Sequence, residues 1–220
     1  MKKTVLFFLL IIISDFSLAQ IELKGTMGIN FLSFPSVQDY INENYAPSGG
    51  ELNTFSSAVI FTGEVGTFLS NSFELSIEVP YQIYSYTENI GPGQYELAYN
   101  SVLPSVMAYY VLLGSGYNIK FGGGAGVRFI DVTESKKWQG TEDTFTSVGF
   151  GGLLRAEANT ALSENFYANL GFDLRYDVNG EPENSNGNTL VNNVKGENVN
   201  FDTFSLGVKL GISYLFGVSN

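Results

Sequence analysis

Along much of the chain, apolar and polar residues alternate with a period of two, the spacing that sends successive side chains to opposite faces of a β-strand. The clearest run covers 166–176. Phe166, Ala168, Leu170, Phe172, Leu174 and Tyr176 fall on one side, and Tyr167, Asn169, Gly171, Asp173 and Arg175 on the other. The segment 204–216 repeats it, with Phe204, Leu206, Val208, Leu210, Ile212, Tyr214 and Phe216 opposite Ser205, Gly207, Lys209, Gly211 and Ser213. Runs at 73–83, 117–129 and 147–158 behave in the same way, which marks five strands well. Weaker alternation predicts three more, at 21–31, 59–65 and near 99–113. The last of these alternates badly and lies in a charge-free stretch from Leu97 to Ile119, but Asn100, Pro104 and Gly114-Ser115-Gly116 argue against a membrane helix there.

The connections between these segments alternate in length. Tight turns are expected at Ser70-Asn71, at Gly114-Ser115 and around Thr160 to Glu164, while 32–54, 86–95, 131–144 and 178–200 are longer. In an antiparallel meander, odd and even connections emerge at opposite ends, so every long loop gathers at one end and every tight turn at the other. Outer-membrane barrels have that asymmetry together with an even strand count. The pattern therefore predicts an all-β fold, an eight-stranded antiparallel up-and-down transmembrane β-barrel. Both termini would be periplasmic and the long loops extracellular.

The polar faces of the strands carry charges of both signs in equal number. The acids are Glu22, Glu64, Glu74, Glu78, Glu157 and Asp173, and the bases Lys24, Lys120, Arg128, Arg155, Arg175 and Lys209. Charges in a narrow interior are tolerated only when paired and hydrogen-bonded, so a balanced set is what a lumen charge network needs. Small inward glycines, among them Gly122, Gly124, Gly126, Gly149, Gly151, Gly207 and Gly211, relieve crowding around such long side chains. On the apolar faces, Phe73, Tyr81, Phe129, Phe166, Tyr176, Phe204, Tyr214 and Phe216 sit near strand ends, where they would form two interfacial aromatic girdles. A soluble exported β-calyx binding an apolar ligand reverses the two faces, with the apolar side inside.

The first residues read as an export leader: Lys2 and Lys3, an apolar run from Val5 to Ile13, and Ser17-Leu18-Ala19 before the cut. Residues 1–19 are thus the expected signal peptide and 20–220 a single β-barrel domain. Of 220 residues only 15% are charged, 25 are glycine, and there is no His and no Cys. That composition removes imidazole and thiol chemistry and the usual zinc, haem and iron–sulfur ligand sets, so neither a metal nor a cofactor is expected. The net charge of −11, one unit more negative without the leader, excludes nucleic acid as a partner.

With alternating strands, balanced polar faces and the leader ending Ala19-Gln20, the chain resembles the small outer-membrane β-barrel proteins of Gram-negative bacteria, the porin family or outer-membrane β-barrel domain group. The leader is similar to those of Bacteroidetes-type bacteria. The resemblance implies outer-membrane lipids, lipopolysaccharide and the outer-membrane assembly machinery as partners. The final aromatic, Phe216, is followed by Gly217-Val218-Ser219-Asn220, a departure from barrels that end on an aromatic residue. Barrel enzymes of this kind use a His with a Ser or Asp, so the lack of His leaves a structural or surface-interaction role, with a narrow pore for ions or very small solutes as the alternative.

Recognition is expected at the long loops, whose acidic excess suits an extracellular protein, a saccharide or a bridging cation. The longest, 178–200, holds eight asparagines and reads as mobile. Asp131, Glu134, Glu142 and Asp143 form a weak candidate cation site at a loop base.

Overall fold

In a computed structural model the described residues are 20–46, 50–52, 57–90 and 93–217; the expected leader at 1–19 lies outside them. The main sheet is antiparallel and comprises β1 (Ile21–Ser33), β2 (Ala58–Ser70), β3 (Phe73–Ile90), β4 (Gly93–Val102), β5 (Ser105–Leu113), β6 (Tyr117–Lys136), β7 (Thr141–Ala161), β8 (Phe166–Val178) and β11 (Thr203–Phe216). Each of these strands pairs along both sides: β1 with β2 and β11, β2 with β3, β6 with β7, and β8 with β7 and β11. Between β3 and β6 lie both β4 and β5. The two faces of this curled sheet differ sharply in exposure, so one is internal.

The expectation of an eight-stranded up-and-down transmembrane barrel is overturned: the fold is an antiparallel sheet of nine strands. The ladder beside β3 breaks at Leu103–Pro104, where proline supplies no amide hydrogen. Leu103 N donates instead to Pro80 O at 2.9 Å. Alternation nevertheless runs through the break, with Tyr95, Leu97, Tyr99, Ser101, Leu103, Ser105, Met107, Tyr109 and Val111 all buried. Apolar and aromatic side chains on the inner face explain why this region alternates poorly as sequence.

Two of the four long loops are also corrected. The stretches expected as loops at 86–95 and 131–144 are mostly strand, because β3–β4 and β6–β7 continue as extended hairpins. The β6–β7 hairpin closes at residues 137–140, where Gly140 takes a φ of 66° that other residues resist. The first connection contains an unexpected helix, α1 (Pro35–Tyr45), started by a proline in its first turn. Its buried residues Val37, Tyr40 and Ile41 form one stripe at helical spacing. The last connection holds a small hairpin, β9 (Val191–Asn192) and β10 (Glu197–Asn198), and Glu183 bridges Thr146 and Thr189. That segment is a folded lobe rather than the mobile loop its asparagines suggested.

Helix α1 and this lobe close the long-loop end. Phe34, Val37, Tyr40, Ile41, Leu190, Val199 and Phe201 pack with Tyr86, Tyr95, Leu97, Tyr99, Ile130, Val132 and Phe145 from the strands. Phe34 meets Tyr99 edge-on at 5.1 Å, and Tyr99 lies parallel to Phe201 at 6.1 Å.

Candidate functional site

The interior of the sheet is built from the polar faces of its strands. All twelve charges proposed for the lumen are buried, none more than 5% exposed. They sit inward because each occupies the position opposite an exposed apolar neighbour: Lys120 beside Phe121, Arg155 beside Leu154, Lys209 beside Val208 and Leu210.

These charges form a connected set. At the turn end, Lys120 pairs with Glu22, lies 2.7 Å from Glu74, and reaches Glu157 at 3.8 Å. Glu157 accepts from Lys24 at 2.7 Å, and Lys24 lies 3.5 Å from Glu64. Arg155 joins Glu64 at 3.1 Å, Glu78 at 2.7 Å and Asp173 at 2.6 Å. Arg175 meets Glu78 at 3.2 Å, and Lys209 meets Asp173 at 2.6 Å. The Tyr109 hydroxyl accepts from Arg155 at 2.9 Å, while Lys24 and Lys120 lie 5.4 and 5.8 Å from its ring centre. Such a set costs much desolvation and is tolerable because every charge is paired, most of them with two or three partners and Glu22, Glu74 and Lys209 with one each.

Arg128 stands apart from this set and pairs with Asp177. Sequence reasoning misses Asp177 because it ends the strand at Tyr176. The inward series Asp173, Arg175, Asp177 in fact continues unbroken, and Asp177 is 5% exposed. Tyr109 escapes notice with the poorly alternating strand that carries it. Toward the long-loop end, Asn30 donates to Gln82 at 2.7 Å, and the aromatic cap follows.

Outside, the belt is apolar. Of the expected girdle residues, Phe73, Tyr81, Phe129, Phe166, Tyr176, Phe204 and Phe216 are exposed, and Tyr214 is half-buried between Phe166 at 4.8 Å and Phe216 at 4.5 Å. Cross-strand register sorts them into two levels. Phe166 pairs with Tyr214 at the turn end, whereas Tyr176 pairs with Phe204, and Tyr81 reaches Phe129 through Val102, at the other.

Above that second level the polarity of the two faces reverses while the pleat continues. On β6, Phe121, Val127 and Phe129 face out over Lys120 and Arg128; beyond Phe129, Ile130 and Val132 are buried and Asp131, Thr133 and Ser135 face out. On β3, Tyr81 and Ile83 are outward, but past them Tyr86 is the buried residue and Ser85 and Thr87 the exposed ones. The reversal falls at one height, since Tyr81, Val102, Phe129 and Val148 are consecutive cross-strand partners. The soluble calyx alternative, with its apolar face inside, is opposite to this arrangement throughout the belt.

The candidate cation residues are not brought together. Glu134 is buried in the cap, where its Oε1 accepts from the hydroxyls of Tyr40 at 2.5 Å, Tyr95 at 3.0 Å and Tyr45 at 3.4 Å, and Lys136 lies 2.9 Å from its other oxygen. Asp131 faces outward, Asp143 lies at the exposed rim opposite Glu134, and Glu142 is opposite Ser135 on the other face. Among the described residues no group of three or more acids is arranged to hold a metal ion. Burial, reinforced by the Glu134 carboxylate, raises the Tyr40, Tyr45 and Tyr95 hydroxyls above the ordinary phenol range.

Cap and lobe are tied by polar contacts. Lys195 lies 2.7 Å from Asp39 and 3.0 Å from Glu43, Asn44 donates to Asn192 at 3.0 Å, and Asn192 donates to Glu43 at 2.8 Å.

No protein-family model matches the chain, and no curated protein matches it. Solved structures do resemble it in fold. A major outer membrane protein from Thermus thermophilus aligns with a TM-score of 0.54 at 14% identity, over 90% of this chain and 99% of that one. Ail, the attachment invasion locus protein of Yersinia pestis, seen with the heparin analogue sucrose octasulfate, aligns with 0.52 at 11% identity, over 90% and 99%. Neisserial surface protein A aligns with 0.51 at 13% identity, over 88% and 96%. At these identities the likeness is one of fold: an antiparallel β-sheet like that of several outer-membrane β-barrel proteins.

Proposed function

We infer that this chain is an outer-membrane surface protein with a structural or interaction role and a sealed interior. The reversal of polarity carries the reading. A belt with Ile77 60%, Val148 69% and Phe150 67% exposed, ending at one height in polar outward residues, suits a sheet whose lower part lies in lipid and whose upper part lies in water. The aromatic levels at both margins support the same placement. Both termini and the tight turns are then periplasmic, and α1 with the 179–202 lobe is extracellular.

The interior supports a plug over a pore. Charges, tyrosines and the aromatic cap fill successive levels, leaving recognition to the acidic outer surface, which suits a protein or a saccharide. Lipopolysaccharide would surround the upper girdle, and the assembly machinery would insert the sheet after removal of residues 1–19. Cell fractionation with heat-modifiable gel migration tests the location: recovery in the soluble fraction without detergent overturns it. Planar-bilayer recording tests the plug, with no stable openings expected of the wild type.

A further inference from the structure

A concave site of about 430 Å³ opens at the long-loop end between the first turn of α1, the 179–202 lobe and the upper aromatic level. Its membrane-side wall is the cross-strand pair Tyr176 and Phe204, exposed by 55% and 44%. The facing walls carry hydroxyls, amides and carboxylates, from Ser36, Asn198, Asn200, Asp39, Glu197 and Asp202. Both walls are fixed: Asn200 N donates to Ser36 Oγ at 3.1 Å, and Asp202 Oδ1 accepts from Asn179 N at 2.9 Å and Gly180 N at 3.0 Å.

We propose that this pocket binds a neutral or amine-bearing saccharide unit. The inference rests on the outer-membrane reading only for what the pocket meets in the cell, not for the chemistry of binding. A pyranose has an apolar C–H face that lies against aromatic rings and hydroxyls that both donate and accept. The pocket offers that combination: two rings on one side, and on the other carboxylate acceptors and amides able to do either. The start of α1 lines the same wall at Pro35 and Ser36, with Asp39 in the next turn, and the Ser36 amide adds backbone donor character. A sulfated or carboxylated sugar is excluded by Asp39, Glu197 and Asp202, since the nearby base, Lys195, is engaged by Asp39 and Glu43. A bare cation faces the positive end of the helix.

Saturation-transfer NMR on the full chain in detergent micelles tests this with cellobiose and chitobiose as free probes, a heparin disaccharide as the anionic comparison, and rough-type lipopolysaccharide as the membrane source. Transfer to a neutral disaccharide supports the proposal and assigns a soluble or host glycan. Transfer to lipopolysaccharide core sugars alone supports it and assigns the neighbouring lipid. Phe204→Leu weakens either by about tenfold. Glu197→Gln, on the exposed β9–β10 hairpin outside the main sheet, weakens binding without altering heat-modifiable migration. Preference for the heparin disaccharide, wild-type binding by both variants, or no transfer to either free disaccharide or to the lipopolysaccharide core sugars overturns the proposal. A negative result leaves the location untouched, because fractionation reads that separately.

Discussion

Arg155 and Asp173 stand directly opposite each other on β7 and β8, and the guanidinium Nε and Nη2 donate to the two carboxylate oxygens at 2.6 and 3.0 Å. The remaining guanidinium nitrogen reaches Glu64 and the Tyr109 hydroxyl, so a single side chain ties β2, β5, β7 and β8 across the interior. Removing it strands three acids, Glu64, Glu78 and Asp173, with fewer counter-charges in a dry site. Arg155→Ala is expected to cost about 3–5 kcal/mol, the range for breaking a buried ion pair. The temperature at which the folded gel band converts to the unfolded one reports the loss. If the charges are the plug, the same variant gains single-channel openings that the wild type lacks.

Gly126 marks where the inner face has no room. It pairs with Ser105 just past the Pro104 break, and a Cβ there would overlap the Pro104 carbonyl oxygen, which backbone rigidity prevents from moving aside. Gly126→Ala should destabilise the sheet by about 1–3 kcal/mol, the usual cost of overpacking, and Gly126→Val should abolish recovery of folded protein. Gly25, also in the sheet but with nothing near its would-be Cβ, supplies the control. Gly25→Ala is expected to fold as wild type in the same refolding assay.

How far these features are legible in the sequence depends on what each side chain faces. Where one face is exposed and apolar and the other a buried charged interior, as from Phe166 to Tyr176, period-two alternation gives strand and face together. Above Phe129 the outward residues become polar and the inward ones apolar and aromatic, so the same pleat carries the opposite polarity. Extended strands there read as polar loops. Tyr95, Leu97 and Tyr99 are inner-face residues hidden by the same exchange. Helix α1 shows only Val37, Tyr40 and Ile41 as a buried stripe, too short to stand out as a period. Glu134 reads as a free acid on a loop because its partners, Tyr40 and Tyr95, are 94 and 39 residues away in sequence.

The cap is held by two unequal means. Lys195 is an exposed base between Asp39 and Glu43, and those two carboxylates raise its pKa. Exposed pairs contribute little, so Lys195→Ala should leave the cap closed. Ile41 is fully buried against the strands, and truncating such a residue costs about 2–5 kcal/mol. Ile41→Ala should therefore expose helix α1 to limited proteolysis while the sheet keeps its heat-modifiable migration. If Lys195→Ala were cleaved as readily as Ile41→Ala, the latch rather than the apolar stripe would be holding the helix.

Three phenols on one carboxylate give the cap an alkaline limit. Burial and the Glu134 charge hold the Tyr40, Tyr45 and Tyr95 hydroxyls protonated beyond the usual range, whereas in an opened cap they ionise at about pH 10. Above about pH 10 the open form releases protons that the closed form keeps, so the closed cap loses stability as pH rises further; below that value the contribution is complete. Phenolate absorbance followed against pH should show a group of tyrosines titrating late and together, in step with protease sensitivity of α1. Glu134→Gln removes the charge but keeps an acceptor for the hydroxyls. In that variant the late group should move down toward the ordinary tyrosine range, and an unchanged titration would mean that burial alone sets it.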